Sequence, residues 1–213
     1  MPVRDIQAVL FDLTGVLTSS PWPALTAAGG GNVELLVGPY HEDTDHPWHR
    51  LERGEISIEE WVSDMQVLAE SRGATLDLRP LNALLSTLVV HDQVVAHVAA
   101  LRAEGYRTAL VTNNIREGSA AWRALFAVDE LFEVVVDSSE VGLRKPNPAI
   151  FTHTLSLLGD IPPAAAVLLD DVETNLVGAR QAGLHTILVG DPPDAALAEL
   201  DVLLGRDGTA PTL

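Results

Sequence analysis

The residues best able to do chemistry sit where apolar runs stop. Val9-Leu10-Phe11 runs into Asp12-Leu13-Thr14-Gly15. A carboxylate at the end of a buried strand, followed by a glycine turn, makes poor core and a well-held nucleophile. Such a group can attack phosphorus to give an acyl-phosphate, splitting one hard displacement into two. Leu110-Val111 stops at Thr112-Asn113-Asn114. The hydroxyl, amide and backbone N–H groups there can hold anionic oxygens, although the same triplet is also ordinary turn chemistry. Val167-Leu168-Leu169 stops at Asp170-Asp171. Adjacent carboxylates repel unless a cation lies between them. Together with Asp12 they form an oxygen-rich set suited to Mg²⁺. Asn175, four residues past Asp171, falls in the first turn of the next helix and could orient Asp171. Lys145 is the single lysine among thirteen basic residues, and Pro146 follows it. A cation fixed there could balance Asp12 and a transferring phosphoryl group.

These stations need a scaffold that brings strand ends together. From His91 onward the chain alternates helix and strand signals. Helices are expected over His91–Glu104, Glu117–Phe126, Pro148–Leu158, Thr174–Ala182 and Asp194–Leu204. Strands are expected over Arg107–Val111, Phe132–Val136, Ala165–Leu169 and Thr186–Val189. Several of these helices stop at glycine, and Pro148 suits a first turn. Strands alternating with helices imply crossovers and a doubly wound, Rossmann-like parallel α/β sheet. In such sheets ligands bind outside the carboxyl ends of the strands, which is where Asp12, Thr112, Asp137 and Asp170 stop their runs.

The stretch from Ser19 to Val90 breaks the alternation. It holds a Gly-rich loop over Ala27–Asn32, and a polar and aromatic run over His41–Arg50. Ser57-Ile58-Glu59-Glu60 is a capping box opening a helix to Glu70, and a further helix is expected over Pro80–Val90. The expected division is an α/β core of residues 1–18 and 91–213 with a small α-helical cap, residues 19–90, inserted after the first strand. A cap so placed would lie over the strand ends as a lid.

Bulk properties narrow the partners. The chain has 213 residues and a formal net charge of -17. That charge argues against nucleic acid and anionic membranes, which call for basic patches. An anionic substrate then needs a local cationic site built against the overall field. There is no cysteine, hence no thiol chemistry and no Cys-based zinc site. No run reaches the ~18 apolar residues of a membrane span or resembles a signal peptide. A cytoplasmic protein, monomeric or homodimeric, is expected.

Taken together, Phe11-Asp12-Leu13-Thr14-Gly15-Val16-Leu17, Leu110-Val111-Thr112-Asn113-Asn114, Gly142-Leu143-Arg144-Lys145-Pro146-Asn147-Pro148 and Leu169-Asp170-Asp171, with Asn175 and Gly178-Ala179-Arg180, resemble the haloacid dehalogenase superfamily of aspartate-nucleophile phosphotransferases. The insert is similar to the small helical cap class. The run Asp170–Asn175 is most similar to the branch holding the phosphatase domain of soluble epoxide hydrolase and bacterial sugar-phosphate phosphatases. The resemblance implies a Mg²⁺-dependent phosphatase of a small phosphorylated metabolite. Asp12 would be nucleophile and metal ligand, and position 14 would give its backbone carbonyl to the metal. Thr112 and Asn113 would bind phosphoryl oxygens. Lys145 would neutralise nucleophile and phosphate. Asp171 would ligate the metal directly, and Asp170 directly or through water. His41, Trp48, Arg50 and Arg53 of the cap would select the substrate.

Thr14 departs from the pattern. Phosphatases of this superfamily usually carry Asp there as general acid and then base, which threonine cannot replace at neutral pH. General acid–base help is worth ~10²–10⁴ in rate, so slow turnover is expected, least impaired on good leaving groups such as acyl phosphates. A cap histidine, His41, His46 or His49, is the candidate substitute. Two alternatives stand beside this reading. One is a metal-independent 2-haloacid dehalogenase, which also lacks the second acid but which Asp170-Asp171 disfavours by repelling a carboxylate substrate. The other is a binding or regulatory protein that keeps the fold with degraded catalysis.

Overall fold

In a computed structural model, residues 6–28, 33–39, 42–74, 76, 78 and 88–206 are described. Five strands form one parallel sheet: β1 (Ala8–Phe11), β2 (Arg107–Thr112), β3 (Val134–Asp137), β4 (Ala166–Asp170) and β5 (His185–Leu188), in the order β3-β2-β1-β4-β5. The expected α/β fold is therefore present, and each expected strand lies within two residues of its place. β1 is central, with Phe11 in register with Leu110 on one side and Leu169 on the other. The order reverses at β1, which makes its carboxyl end the crevice of the fold.

Eleven α-helices lie among the described residues, and four of them fall between β1 and residue 90: α1 (Trp22–Ala28), α2 (Val33–Val37), α3 (Pro47–Glu52) and α4 (Ile58–Ser71). The other seven are α5 (Asp92–Ala103), α6 (Ser119–Arg123), α7 (Val128–Leu131), α8 (Ser138–Val141), α9 (Pro148–Leu157), α10 (Glu173–Gln181) and α11 (Asp194–Leu204).

Strand alternation builds two cores. Val9, Phe11, Leu110 and Leu169 face α5, α11 and the buried Trp122. Ala8, Leu10, Val111 and Leu168 face α9 and α10 through Ile150, Phe151, Leu155 and Leu176. Both faces being covered explains why the strand sequences read as continuous apolar runs. The inserted helices have an apolar cluster of their own, with Leu25, Leu36, Leu51, Trp61 and Met65 buried together.

The capping box forms as expected. Ser57 Oγ accepts from the Glu60 N–H at 3.2 Å, and Glu60 Oε2 accepts from the Ser57 N–H at 2.8 Å. The helix expected over Glu117–Phe126 is instead broken into a 3₁₀ turn at Arg116–Gly118, then α6 and α7. Gly118 at the join is a poor helix former, and burial of Trp122 fixes the short piece that remains. Asp137 ends β3 but acts as a cap, its Oδ1 accepting from the Ser139 N–H at 3.0 Å and Oγ–H at 2.7 Å. The helix expected over Pro80–Val90 falls mostly outside the described residues. Its last residues are not helical, since Val90 bridges Thr18 and the Ser19 N–H donates to the Val89 carbonyl at 2.8 Å. Among the described residues no helix is long and apolar enough to cross a membrane.

Candidate active site

Register carries the first carboxylates into contact. Asp12 follows β1, and its N–H donates to the Leu169 carbonyl at 3.0 Å, which places it beside Asp170. Asp12, Asp170 and Asp171 each offer an oxygen within 4.8 Å of the others. Asp12 is 5% exposed and Asp170 fully buried. Gly15 makes room for the third carboxylate. It has φ of +84°, and a Cβ there would lie 2.1 Å from Asp171 Oδ2.

Lys145 reaches into this cluster from the loop before α9. Its Nζ lies 2.8 Å from Asp12 Oδ1 and 2.6 Å from Asp170 Oδ2, with 1% of the side chain exposed. Two contacts hold that loop. Asn113 donates through Nδ2 to the Lys145 carbonyl at 2.9 Å and accepts at Oδ1 from the Lys145 N–H at 2.8 Å. Gly178 in α10 brings the helix against Pro146, and a Cβ there would lie 1.9 Å from the Pro146 carbonyl oxygen. The Asn113 side chain therefore grips the lysine loop, which leaves its backbone as its available contact for an anion.

Asp170 is fixed further by Asn175. The Asn175 Nδ2 donates to both carboxylate oxygens at 3.0 and 3.2 Å, and the Val172 N–H donates to Oδ1 at 2.9 Å. Asn175 thus does orient an acidic residue, though Asp170 rather than Asp171. Asp12 Oδ1 accepts from the Leu13 N–H at 2.7 Å. Thr112 ends β2 next to Asp12, and its Oγ1 is buried with no hydrogen-bond partner in the protein. Buried hydroxyls normally find one; Thr112 is 1% exposed and is not in the lining of the cavity that opens above the cluster.

Charge is out of balance here. Burial holds the Asp12 carboxyl well above the usual range, against the pull of Lys145 and with Asp170 and Asp171 adding to the rise. Burial, then Asp170, push Asp171 up to about 7. Burial works against the Lys145 charge, but Asp12 and Asp170 more than offset it and hold the ammonium above its ordinary value. Three carboxylates facing one ammonium leave room for a divalent cation, and hard oxygen donors suit Mg²⁺. The residues therefore fit a metal site.

A cavity of about 290 Å³ opens above the cluster, with Asp12, Thr14, Asn113, Lys145, Asp171 and Asn175 in its lining. The inserted helices close it. Trp22 of α1 lines it and donates a side-chain hydrogen bond to Asp171. Trp48 also lines it. Arg53 is bound to Asp43, Glu55 and the Thr44 carbonyl, and Arg50 pairs with Asp64 at 3.4 Å. Neither arginine is in the lining, because both are consumed by acids of their own segment. His41 lies outside the described residues. His49 lines the cavity, and its Nδ1 accepts from the Thr44 N–H at 3.0 Å. Burial, helped by Arg144, lowers its pKa to about 3, so it is a neutral imidazole.

The sequence reading passed over Arg144, Glu52, Trp61 and Ile115, all of which line the cavity. Arg144 is the important omission. It stands next to Lys145 in the same motif, and its Nε donates to Glu52 Oε2 of α3 at 2.8 Å with both residues buried. Arginine beside a conspicuous lysine was the only available signal.

Comparison with known proteins agrees with this geometry. The chain is 34% identical over 214 residues to acyl-CoA dehydrogenase family member 10 of Mus musculus, covering 95% of this chain and 19% of that protein. It is 30% identical to bifunctional epoxide hydrolase 2 of Sus scrofa, covering 94% and 39%. It therefore spans well under half the length of either relative. A phosphoglycolate phosphatase of Colwellia psychrerythraea is 23% identical, with 88% of this chain and 85% of that one covered. Among solved structures, a magnesium complex of a HAD family enzyme from Bacteroides thetaiotaomicron superposes with a TM-score of 0.62 at 25% identity, covering 87% and 93%. The family description haloacid dehalogenase-like hydrolase matches residues 6–183, and with the sheet order and the Asp12 centre in place, the chain belongs to the haloacid dehalogenase-like hydrolases.

Proposed function

We propose that this hydrolase is a Mg²⁺-dependent phosphatase of a small phosphorylated metabolite, working through an aspartyl-phosphate on Asp12. The observation that carries the reading is the buried Lys145 ammonium held between Asp12 and Asp170, with Asp171 alongside. Asp12, Asp170, Asp171 and the Thr14 carbonyl would hold the metal. Bound there, Mg²⁺ would polarise the phosphoryl oxygens and offset their charge.

The rest of the chemistry belongs to the chain. An Asp12 oxygen attacks phosphorus, the bond to the leaving oxygen breaks, and the leaving group departs with the electron pair. Lys145 opposes the rise that burial imposes on the Asp12 carboxyl and stabilises the charge that builds on the transferring group. Thr112 Oγ1 supplies a hydroxyl to a phosphoryl oxygen, and Asn113 holds the Lys145 loop in register. Water then attacks the aspartyl-phosphate, releasing phosphate and restoring Asp12. Residues 19–90 serve as a cap over these steps, excluding water from the first and choosing the leaving group.

Thr14 sets the speed. Among the described residues of the inserted segment, the titratable groups lining the cavity offer no ready proton, because His49 is neutral at physiological pH and Glu52 is tied to Arg144. Acyl phosphates, whose leaving group needs no proton, should turn over best. A 2-haloacid would bring its own carboxylate against Asp170 and Asp171, and a site kept only for binding has no use for so complete a nucleophile centre. The test is phosphate release from acetyl phosphate with and without Mg²⁺. Wild type should be active only with the metal, and Asp12→Asn inactive. Turnover by Asp12→Asn at the wild-type rate would remove the proposal.

A further inference from the structure

Away from the carboxylates the cavity changes character. Its wall there is built from Leu25, Trp48, Leu51, Trp61 and Ile115. Trp48 and Trp61 meet edge to face with ring centroids 5.5 Å apart. A sugar or polyol placed here would bury hydroxyls against indole and leucine, where unpaired polar groups are costly. An aliphatic or aromatic body would leave nothing unpaired.

The cationic group in this lining other than Lys145 is Arg144, which is 6% exposed. Glu52 orients it through Nε. Its Nη1 is buried and makes no hydrogen bond, with Asp43 Oδ1 at 3.7 Å, an ion-pair distance only. Trp61 Nε1 is a second buried donor without an acceptor, on a residue 2% exposed. A buried donor left unpaired is costly, and native structures rarely keep one. An acceptor brought by the occupant of the cavity would satisfy either group.

Charge decides what kind of acceptor. Glu52 already balances the guanidinium, and Asp43 with Glu55 balances Arg53 beside it, so a second anion on the substrate would find no uncompensated cation here. A neutral carbonyl oxygen needs none. We infer that Arg144 is a specificity-determining residue that hydrogen-bonds a carbonyl oxygen on an otherwise apolar leaving group, while the phosphate lies at Asp12. This rests on the phosphatase reading above.

The test compares three alkyl phosphates of similar intrinsic reactivity: glycerol phosphate, hexyl phosphate, and a hexyl phosphate carrying a ketone near the chain end. Each buried methylene adds about fourfold to kcat/KM, so hexyl phosphate should exceed glycerol phosphate by at least ~30-fold. The ketone should add roughly tenfold more, the scale of a hydrogen bond to a charged group. Arg144→Lys keeps a cation for Glu52 but loses the planar fork, and should bring the ketone-to-hexyl ratio close to one. Binding of the matching phosphonates to wild type, followed by the fluorescence of Trp22, Trp48 and Trp61, should show the same order without any turnover. Equal rates on glycerol and hexyl phosphate, or a ketone ratio unchanged in Arg144→Lys, would overturn the inference. Acetyl phosphate is too short to reach the apolar wall and reports on the phosphatase reading alone. Its Mg²⁺-dependent hydrolysis without discrimination among the alkyl phosphates removes Arg144 and leaves the phosphatase. No hydrolysis, with phosphonates still binding in the expected order, removes the phosphatase and leaves Arg144 as a recognition residue. Failure of both measurements removes both.

Discussion

Replacing Lys145 by methionine should expose how strongly the carboxylates depend on it. The side chain is 1% exposed and its ammonium touches Asp12 at 2.8 Å and Asp170 at 2.6 Å. Methionine fills much of the same space without the charge. Breaking a buried ion pair by removing one partner costs ~3–5 kcal/mol. Proton uptake sets a ceiling of similar size. Holding one carboxyl protonated at pH 7, when it is ionised in the unfolded chain with a pKa of about 3.9, costs about 4 kcal/mol. The sign follows from that uptake: with its cation gone the folded variant binds one proton more than the folded wild type, while the two unfolded chains bind the same number of protons at their carboxylates. Its deficit should therefore shrink by about 1.4 kcal/mol for each unit the pH falls from 7 towards 5. Urea unfolding without metal should show a loss of roughly 4 kcal/mol at pH 7, and melting should drop by roughly 8–16 °C for a chain of this size. Mg²⁺ at about a hundred times its Kd should return about 2.7 kcal/mol, and the gain should be larger in the variant than in wild type, because no ammonium competes for the carboxylates. A deficit identical at pH 5 and pH 7, or a variant as stable as wild type, would refute the claim that Lys145 neutralises Asp12 and Asp170.

Other residues give sharper separations of folding from chemistry. Thr112→Val removes a buried hydroxyl that has no partner in the protein, so stability should hold or rise by up to about 1 kcal/mol. Product inhibition by phosphate should weaken about tenfold, and the two effects together distinguish an anion contact from a structural one. Gly15→Ala forces a Cβ to 2.1 Å from Asp171 Oδ2 at a positive φ. It should cost at least about 1–2 kcal/mol and weaken Mg²⁺ binding measured by calorimetry; unaltered affinity would show that Asp171 is not a ligand. Thr14→Asp should speed hydrolysis of alkyl phosphates more than acetyl phosphate, and equal gains would show that position 14 has no role as an acid. His49 is neutral when folded, with its pKa lowered to about 3, so its contribution to stability is complete above the ordinary value near 6.5 and is lost as the pH falls below it. His49→Gln should reduce the dependence of unfolding free energy on pH by about 1.4 kcal/mol per unit between pH 6 and 4, and parallel curves would contradict burial of the neutral ring.

The cluster around Asp12 was legible in the sequence because its parts lie at the ends of apolar runs, and parallel strands bring such ends together. Phe11, Leu110 and Leu169 share a register, so Asp12 and Asp170 follow at once and Thr112 one residue later. Lys145 stood out by its rarity, and Asn175 by its distance from the acidic pair. What pairs across long separations was not legible. Arg144 and Glu52 are 92 residues apart, and nothing local to either announces the other. Arg50 and Arg53 looked free for a substrate, yet Asp43, Glu55 and Asp64 take them up. Asn113 read as an anion contact; its side chain is committed to the Lys145 backbone, a partner 32 residues away, which leaves its own backbone for an anion. The helix from Pro47 to Glu52 was missed although Pro47 sits in its first turn and the His46 side chain accepts from the Trp48 N–H, because histidine is an uncommon cap and the run has little apolar periodicity.

The central claim is a covalent phosphoryl group on Asp12. Reaction with acetyl phosphate and Mg²⁺, acid quenching and borohydride reduction should convert that side chain to homoserine, which peptide mass spectrometry locates. The modification should map to Asp12, depend on Mg²⁺ and be absent from Asp12→Asn. Phosphate release in wild type with no adduct at Asp12, or with an adduct at another residue, would contradict it.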